Sequence, residues 1–420
     1  MTRLGLGLSR EVWLVQIGVF LNALGWGAVL PFEVIYLHDG RGFALGAAGL
    51  VVGTLTGVAV LSAPAAGPLI DRFGPRSVAA AAGIALAVGY AGLAFAHSEP
   101  AAFAAAAIAG VGNGALLPAQ SALLAALAPS RIRHRATAVS RVCTNAGFGL
   151  GGALGGLVAG FGLAGFVALF LLNGATYLAY VGFLIVVVRG ATRPEPPAGG
   201  YRQMLADGPF LHLAVTNVVI IAIGWGVISW VVPPYAKSGL GVGSQLIGLL
   251  LLANSATVVV AQVPIAKLVE GRRRGGMMSI AAGLIAAACL LVLAARSLGA
   301  AAYATVVAAA IVVAVGECFH TAVLMPLVAD LAPEHLRGRY MATIGLSWLI
   351  GLALAPTAGT QLLGVSAAAT FLGSALAAAA ASASMLALDH RLPEKARFTP
   401  RPDAPLRIDA VSAVPEVAGG

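Results

Sequence analysis

Charge is what this chain has least of. Only 10% of its 420 residues are Asp, Glu, Lys or Arg, against 59% that are hydrophobic, and the mean hydropathy is +0.93. A soluble globule of this size could not clothe itself with so little polar surface, so lipid has to be its solvent. Cysteine is scarce as well. Cys143, Cys289 and Cys318 fall inside apolar stretches without metal-ligand spacing, which predicts neither a disulfide nor a zinc site. No GxxxxGK[ST] loop is present to cradle a nucleotide, and no constellation supports chemistry on a substrate. Enzyme function, metals and cofactors are therefore not expected.

What is present is apolar length. The hydrocarbon core asks for about 20 apolar residues per helix. Such runs occupy 13–37, 44–70, 77–96, 102–127, 136–161 and 166–188, then 209–236, 244–269, 277–295, 300–329, 340–362 and 367–388. The reading is an all-α membrane protein of twelve transmembrane helices in two pseudo-symmetric six-helix bundles. Residues 1–188 form the N-terminal half, 189–208 a Pro- and Gly-rich cytoplasmic linker, 209–388 the C-terminal half, and 389–420 a cytoplasmic tail that reads as disordered. The first run follows a short polar head with Arg3 and Arg10 and is too long for a secretory signal, so it is expected to stay as an anchor.

The formal charge of +9 could suggest nucleic acid, and the placement of the 25 basic residues decides against it. Alternate loops and the tail, joined by the helix-end Arg141 and Lys267, hold 22 of them, leaving Arg41, Lys237 and Arg296 on the other side. By the positive-inside rule this is an inner-membrane protein with both termini cytoplasmic. No nucleic-acid partner is called for, and a monomer is the expected state.

The chain also repeats itself at an offset of roughly 200 residues. Gly25-Trp26-Gly27 returns as Gly224-Trp225-Gly226, Tyr36 as Tyr235, Gly49-Leu50 as Gly248-Leu249, and Asp71 as Glu270. Leu127-Ala128-Pro129 with Arg133 and Arg135 returns as Leu331-Ala332-Pro333 with Arg337 and Arg339. Parallel halves of this kind enclose a central cavity near the midplane that opens to one side at a time, the architecture of a secondary transporter.

Two motifs add detail. After the second helix comes GPLIDRFGPRS, residues 67–77. Gly67 and Gly74 permit close approach and a tight turn, Asp71 can face a helix N-terminus or an arginine, and Arg72 and Arg76 suit an anionic inner surface. This segment resembles the signature loop between helices 2 and 3 of the major facilitator superfamily. The resemblance extends over 13–388 and implies that the loop latches the cytoplasmic side. In the fifth helix, Gly147, Gly151, Gly152, Gly155 and Gly156 are similar to the GxxxGPxxGG pattern of the twelve-helix drug:proton antiporter group, with Gly152 where the family has Pro. Glycines at this spacing line a helix face and admit another backbone. Relatives often carry an Arg in the fourth helix where this chain has Ala106.

Coupling is expected to rest on buried acids, because a charge at mid-bilayer costs about 2.5–3.5 kcal/mol and needs a reason. Glu317 is the deepest, with His320 one turn on and expected to share its face. A carboxyl that takes up and gives up a proton can trade it for a cationic substrate. Through the repeat, Glu317 matches Asn113 of the first half. Asn22, Trp26 and Glu33 form a stripe along the first helix. Glu33 lies nearer the outer end, after Pro31, in a position open to wetting, and stands either as a second proton site or as an entrance carboxylate. The other polar positions at depth are sparse: Gln120, Arg141, Asn145, Asn173, Tyr177, Asn217, Trp225, Trp230, Asn254 and Gln262. They fit an apolar pocket with few fixed hydrogen bonds. The expected activity is proton-coupled efflux of small lipophilic or cationic compounds. The alternatives are a metabolite or lipid carrier on the same scaffold, or a non-transporting membrane receptor.

Overall fold

A computed structural model describes residues 8–127, 133–187, 201–333 and 336–399. Most of the linker, the Ala128-Pro129 step and the chain beyond Thr399 lie outside the described residues. Within lipid every backbone N–H and C=O must be satisfied internally, and the apolar runs accordingly form helices. Among the described residues no strand is formed beyond one isolated bridge, Arg273 with Phe398.

The long helices are α1 (Arg10–Gly40), α2 (Leu45–Phe73), α3 (Pro75–Ala94), α4 (Glu99–Leu127), α5 (Arg133–Ala159) and α6 (Leu163–Val187). They continue with α7 (Gly208–Gly239), α8 (Ser244–Leu268), α9 (Arg274–Ala295), α10 (Ala302–Leu331), α11 (Arg337–Val365) and α12 (Ala367–Arg391). Among the described residues eleven helical stretches are long and apolar enough to cross a membrane. One of them, Arg274–Leu331, runs for 58 residues and is bent at Gly299, whose φ of 51° and ψ of −116° interrupt it between α9 and α10. These two helices pack against each other side by side.

Packing repeats the order seen in the sequence. In the first half α1 packs on α5 and α6, and α3 and α2 on α4; in the second α7 packs on α11 and α12, and α9 and α8 on α10. Between the halves the extensive contacts are α5 with α8 and α2 with α11. The glycines show where these occur. A Cβ on Gly46, Gly49 or Gly53 of α2 would strike Gln361, Thr360 or Thr357 of α11, and one on Gly149, Gly152 or Gly156 of α5 would strike Ser255, Leu251 or Gln245 of α8. All these residues lie in the part of each helix remote from the two chain termini. Further along α2, Gly57 and Gly67 meet nothing within 4 Å. The halves thus close on the face away from the termini, here the far face, and part toward the terminal face.

Three expectations change. The signature segment is mostly helix: α2 continues through Asp71 and Arg72 to Phe73, and only Gly74, at φ 81°, breaks it before Pro75 begins α3. Gly67 supports no close approach in this conformation, because it faces open space. The glycines of α5 line two faces instead of one. Gly147, Gly151 and Gly155 lie against the backbone of α1 at Phe20, Leu24 and Ala28, while Gly152 and Gly156 lie against α8. Finally, the tail does not lose structure at Asp389. α12 runs to Arg391, a short helix covers Glu394–Arg397, and Thr399 exchanges backbone hydrogen bonds with Gly271 and Arg272.

Candidate functional site

Two helices with matching irregularities carry the centre of the molecule. α1 tightens to a 3₁₀ turn at Leu30–Phe32, where Pro31 cannot donate, and widens to a π turn at Tyr36–Gly40. α7 is π-helical over Ala222–Val231 and again over Tyr235–Gly239. Trp225 and Trp230 lie in the widened stretch of α7, and Trp26 in the regular part of α1. Trp26 and its repeat partner Trp225 meet with ring centroids 5.6 Å apart, Phe148 of α5 joins at 5.4 Å from Trp26 and 5.7 Å from Trp225, and Trp230 stands edge-on to Trp225 at 5.6 Å and 84°. This aromatic cluster sits where the two halves converge. Trp26 and Trp225 are only partly buried. Such rings offer apolar area and negatively polarised faces to a flat or cationic ligand.

Glu317 is half-buried on α10. Its Oε1 is fully buried and has no hydrogen-bond partner. A polar atom removed from water without a partner is costly, so a proton or a cationic ligand would relieve it. The expected company of His320 is not found. His320 is 2% exposed, and its Nε2 lies 2.7 Å from Asn217 Oδ1 on α7. The Asn217 amide donates in turn to Ser347 Oγ at 2.8 Å on α11. Three residues along a helix leave the two side chains only about 60° apart, and it is the bond to Asn217 that draws His320 into the helix contacts of its own half, with Trp348 6.4 Å away. Thr321 keeps nearer company with Glu317: its hydroxyl donates to the Glu317 carbonyl at 2.8 Å and to Gln262 Oε1 of α8 at 3.2 Å. Asn113, the repeat counterpart of Glu317, is half-buried on α4. α4 packs on α2 and α3 while α10 packs on α8 and α9, so acid and amide belong to walls of opposite halves.

The stripe on α1 divides. Trp26 joins the aromatic cluster. Asn22 is 7% exposed and both its amide atoms lack partners, and the fully buried Asn173 of α6 lies beside Tyr90. Glu33 is not wetted. It is 3% exposed, its Oε1 accepts from Tyr90 Oη at 3.0 Å on α3, and its Oε2 accepts from Trp230 Nε1 at 2.9 Å on α7. An entrance carboxylate would be hydrated; this one is enclosed by a phenol and an indole. Phe148 and Tyr90 were not singled out in the sequence, since an aromatic within an apolar run carries no periodic signal of its own.

At the terminal face Asp71 and Arg72 occupy the last turn of α2, Arg72 over the Phe73 ring at 5.2 Å, and Arg76 donates to the Ile185 carbonyl at 2.7 Å. Among the described residues Asp71 has no hydrogen-bond or ion-pair partner.

Comparison with known proteins agrees with this architecture. The sequence model of the Major Facilitator Superfamily matches residues 15–221 and 214–415. The chain is 29% identical over 272 residues to the uncharacterized MFS-type transporter YttB of Bacillus subtilis, covering 63% of this chain and 66% of that protein. It is 26% identical over 265 residues to the multidrug resistance protein MdtH of Aeromonas hydrophila, covering 61% and 64%. The chain thus spans just under two thirds of the length of these relatives. Among solved structures, a peptide transporter POT in complex with sulfate superposes with a TM-score of 0.76 at 15% identity, over 91% of this chain and 94% of that one. A D-xylose-proton symporter does so with a TM-score of 0.75 at 15% identity, over 92% and 100%. At such identity these structures speak for the fold alone.

Proposed function

The chain belongs to the Major Facilitator Superfamily, and from that premise we propose that it is a secondary antiporter that exports small lipophilic or cationic compounds in exchange for protons. It is a multi-pass membrane protein. In this reading the 58-residue stretch bent at Gly299 counts as two crossings, which makes twelve helices in two six-helix bundles, 1–188 and 209–388. The terminal face is cytoplasmic, on the distribution of arginine, and the host is the inner membrane. The conformation is then inward-facing, with the site open to the compartment from which an exporter loads.

Two observations carry the reading: an aromatic cluster shared by the two halves and, on α10, a carboxyl, Glu317, whose buried oxygen has no partner. The rings supply most of the affinity for a lipophilic molecule and tolerate varied shapes, because stacking and apolar contact are not directional in the way hydrogen bonds are. The carboxyl supplies the exchange: ionised, it attracts a cation; protonated, it releases one. The names of relatives such as MdtH lend support for drug-like substrates. Asp71, Arg72, Gly74 and Arg76 are assigned to the gate that closes the terminal face.

Proteoliposomes with an imposed pH gradient test this. Lipophilic cations should be driven out by the gradient, and Glu317→Gln, which keeps size but cannot titrate, should abolish gradient-driven export while neutral lipophiles still bind. Full proton-driven cation export by the variant at normal abundance would remove Glu317 from the mechanism. Flux of sugars, amino acids or lysolipids in place of lipophilic cations would turn the assignment to a metabolite or lipid carrier.

A further inference from the structure

Among the described residues one buried side-chain hydrogen bond joins the halves. Glu33 is held from its own half by the Tyr90 hydroxyl and from the other half by the Trp230 indole, at 3.0 and 2.9 Å. Both Glu33 and Trp230 are almost fully enclosed, at 3% and 2% exposure. The close approaches of α2 to α11 and of α5 to α8 are made by glycines against backbone and the uncharged side chains of Gln361, Thr360, Thr357, Ser255 and Leu251, contacts that separate without leaving a charge exposed to lipid. Beyond Glu33, toward the far face, Lys237 Nζ meets Asp39 Oδ2 at 2.9 Å between α7 and α1, partly exposed and therefore weak. Opening the far face must part α1 from α7. It must therefore break the Glu33–Trp230 bond and leave a desolvated acceptor behind.

We propose that the Glu33–Trp230 hydrogen bond is the latch that holds the far face closed, and that neutralising Glu33 loosens it. A carboxylate accepts a hydrogen bond about twice as strongly as a neutral carbonyl. A protonated Glu33 can still take the indole N–H on its carbonyl oxygen and donate its own proton to Tyr90, so the geometry survives while the grip weakens. The groups facing it are Tyr90 from α3, with Tyr177 of α6 stacked behind at 6.1 Å, and Trp230 from α7. The nearest charges in sequence on α1 and α7 are engaged elsewhere: Asp39 and Lys237 with each other, Arg41 with the Tyr36 hydroxyl at 2.6 Å, the Ala94 carbonyl and His97. Glu33 thus has no described cationic partner to hold it ionised. Trp230 also stands against Trp225, which touches Trp26. A ligand that displaces the aromatic cluster reaches the latch through one ring, so proton and substrate act on the same bond. The inference rests on the proposed function only for the direction in which the proton gradient drives the latch.

The test reads the far face directly. Ser98, between α3 and α4, and Ser297, between α9 and α10, are exposed there, one in each half. With the three native cysteines replaced, Ser98→Cys and Ser297→Cys carry spin labels, and pulsed EPR gives the ratio of open to closed populations in nanodiscs. Trp230→Phe and Glu33→Leu should each raise that ratio about tenfold, the loss of one charge-assisted bond. The double variant should match either single one, because both remove the same bond. Lowering the pH should open the native protein, whereas Glu33→Gln should already sit at the acidic position and ignore pH. Additive effects, an unchanged distance distribution, or a native pH response in Glu33→Gln would each overturn the latch. Failure of the export reading shows separately, as flux that survives Glu317→Gln, and leaves the EPR outcome standing.

Discussion

The turn after α2 and the turn after α8 occupy matching places in the two halves, yet one stands free and the other is tied to the body of the protein. After α2, Asp71 has no partner among the described residues, Gly67 faces open space and Phe73 is 54% exposed. After α8, Arg274 is fully buried, with Nη2 on Asp330 Oδ2 at 2.6 Å and Nη1 on the Ala396 carbonyl at 3.3 Å. Arg273 Nε pairs with Asp389 Oδ2 at 2.8 Å, and the Thr399 hydroxyl donates to Val269 and Arg272 carbonyls. The C-terminal segment, with Leu392 and Ala396 buried, has been laid over the second turn like a clamp. An inherited repeat has been divided: one copy stabilises its own half, while the other is left with unspent hydrogen-bonding capacity. The free copy is the one able to change partners when the terminal face closes.

The comparison can be broken most forcefully at Arg274. Arg274→Ala empties a buried site and strands Asp330, itself partly exposed, so a loss of about 2–3 kcal/mol is expected, read as a drop in thermal stability of the purified protein. Ending the chain at Arg391 removes the clamp but leaves Arg274 with Asp330; about 1–2 kcal/mol should go, from lost hydrogen bonds and buried apolar side chains. Gly74→Ala forces a Cβ onto a backbone at φ 81° and should cost about 1 kcal/mol, whereas Gly67→Ala, in open space within α2, should not destabilise. Asp71→Asn sharpens the contrast from the other side. Its stability should stay within about 0.5 kcal/mol of the native value while substrate turnover falls and binding is retained. A large stability loss in Asp71→Asn, or none in Arg274→Ala, would mean the two turns are not divided in this way.

The helices were legible because lipid imposes long apolar runs, and the repeat was legible because Gly-Trp-Gly and Tyr36 recur at one offset. The glycine pattern of α5 correctly announced close packing. Partner choice was harder to read. Glu33 and His320 each sit on a helix whose sequence says how deep they lie but not which neighbour their rotamers reach; Tyr90, Trp230 and Asn217 are brought to them only by packing of other helices. The clamp was missed because 389–399 mixes charge and proline, which reads as a tail. Its signal was a triple arginine at 272–274 that exceeded what an anionic lipid surface needs, together with Leu392 and Ala396 four residues apart.

Three of the chain's five tryptophans, Trp26, Trp225 and Trp230, form an unbroken run of touching indoles from one half to the other. At these separations their excited states exchange energy, so the protein's own ultraviolet emission responds to the distance between its halves. Binding in the cluster and parting of α1 from α7 would alter that emission differently, the first by screening the rings and the second by separating them. The molecule carries its own optical probe at the point where its moving parts meet, and no label need be attached to watch it cycle.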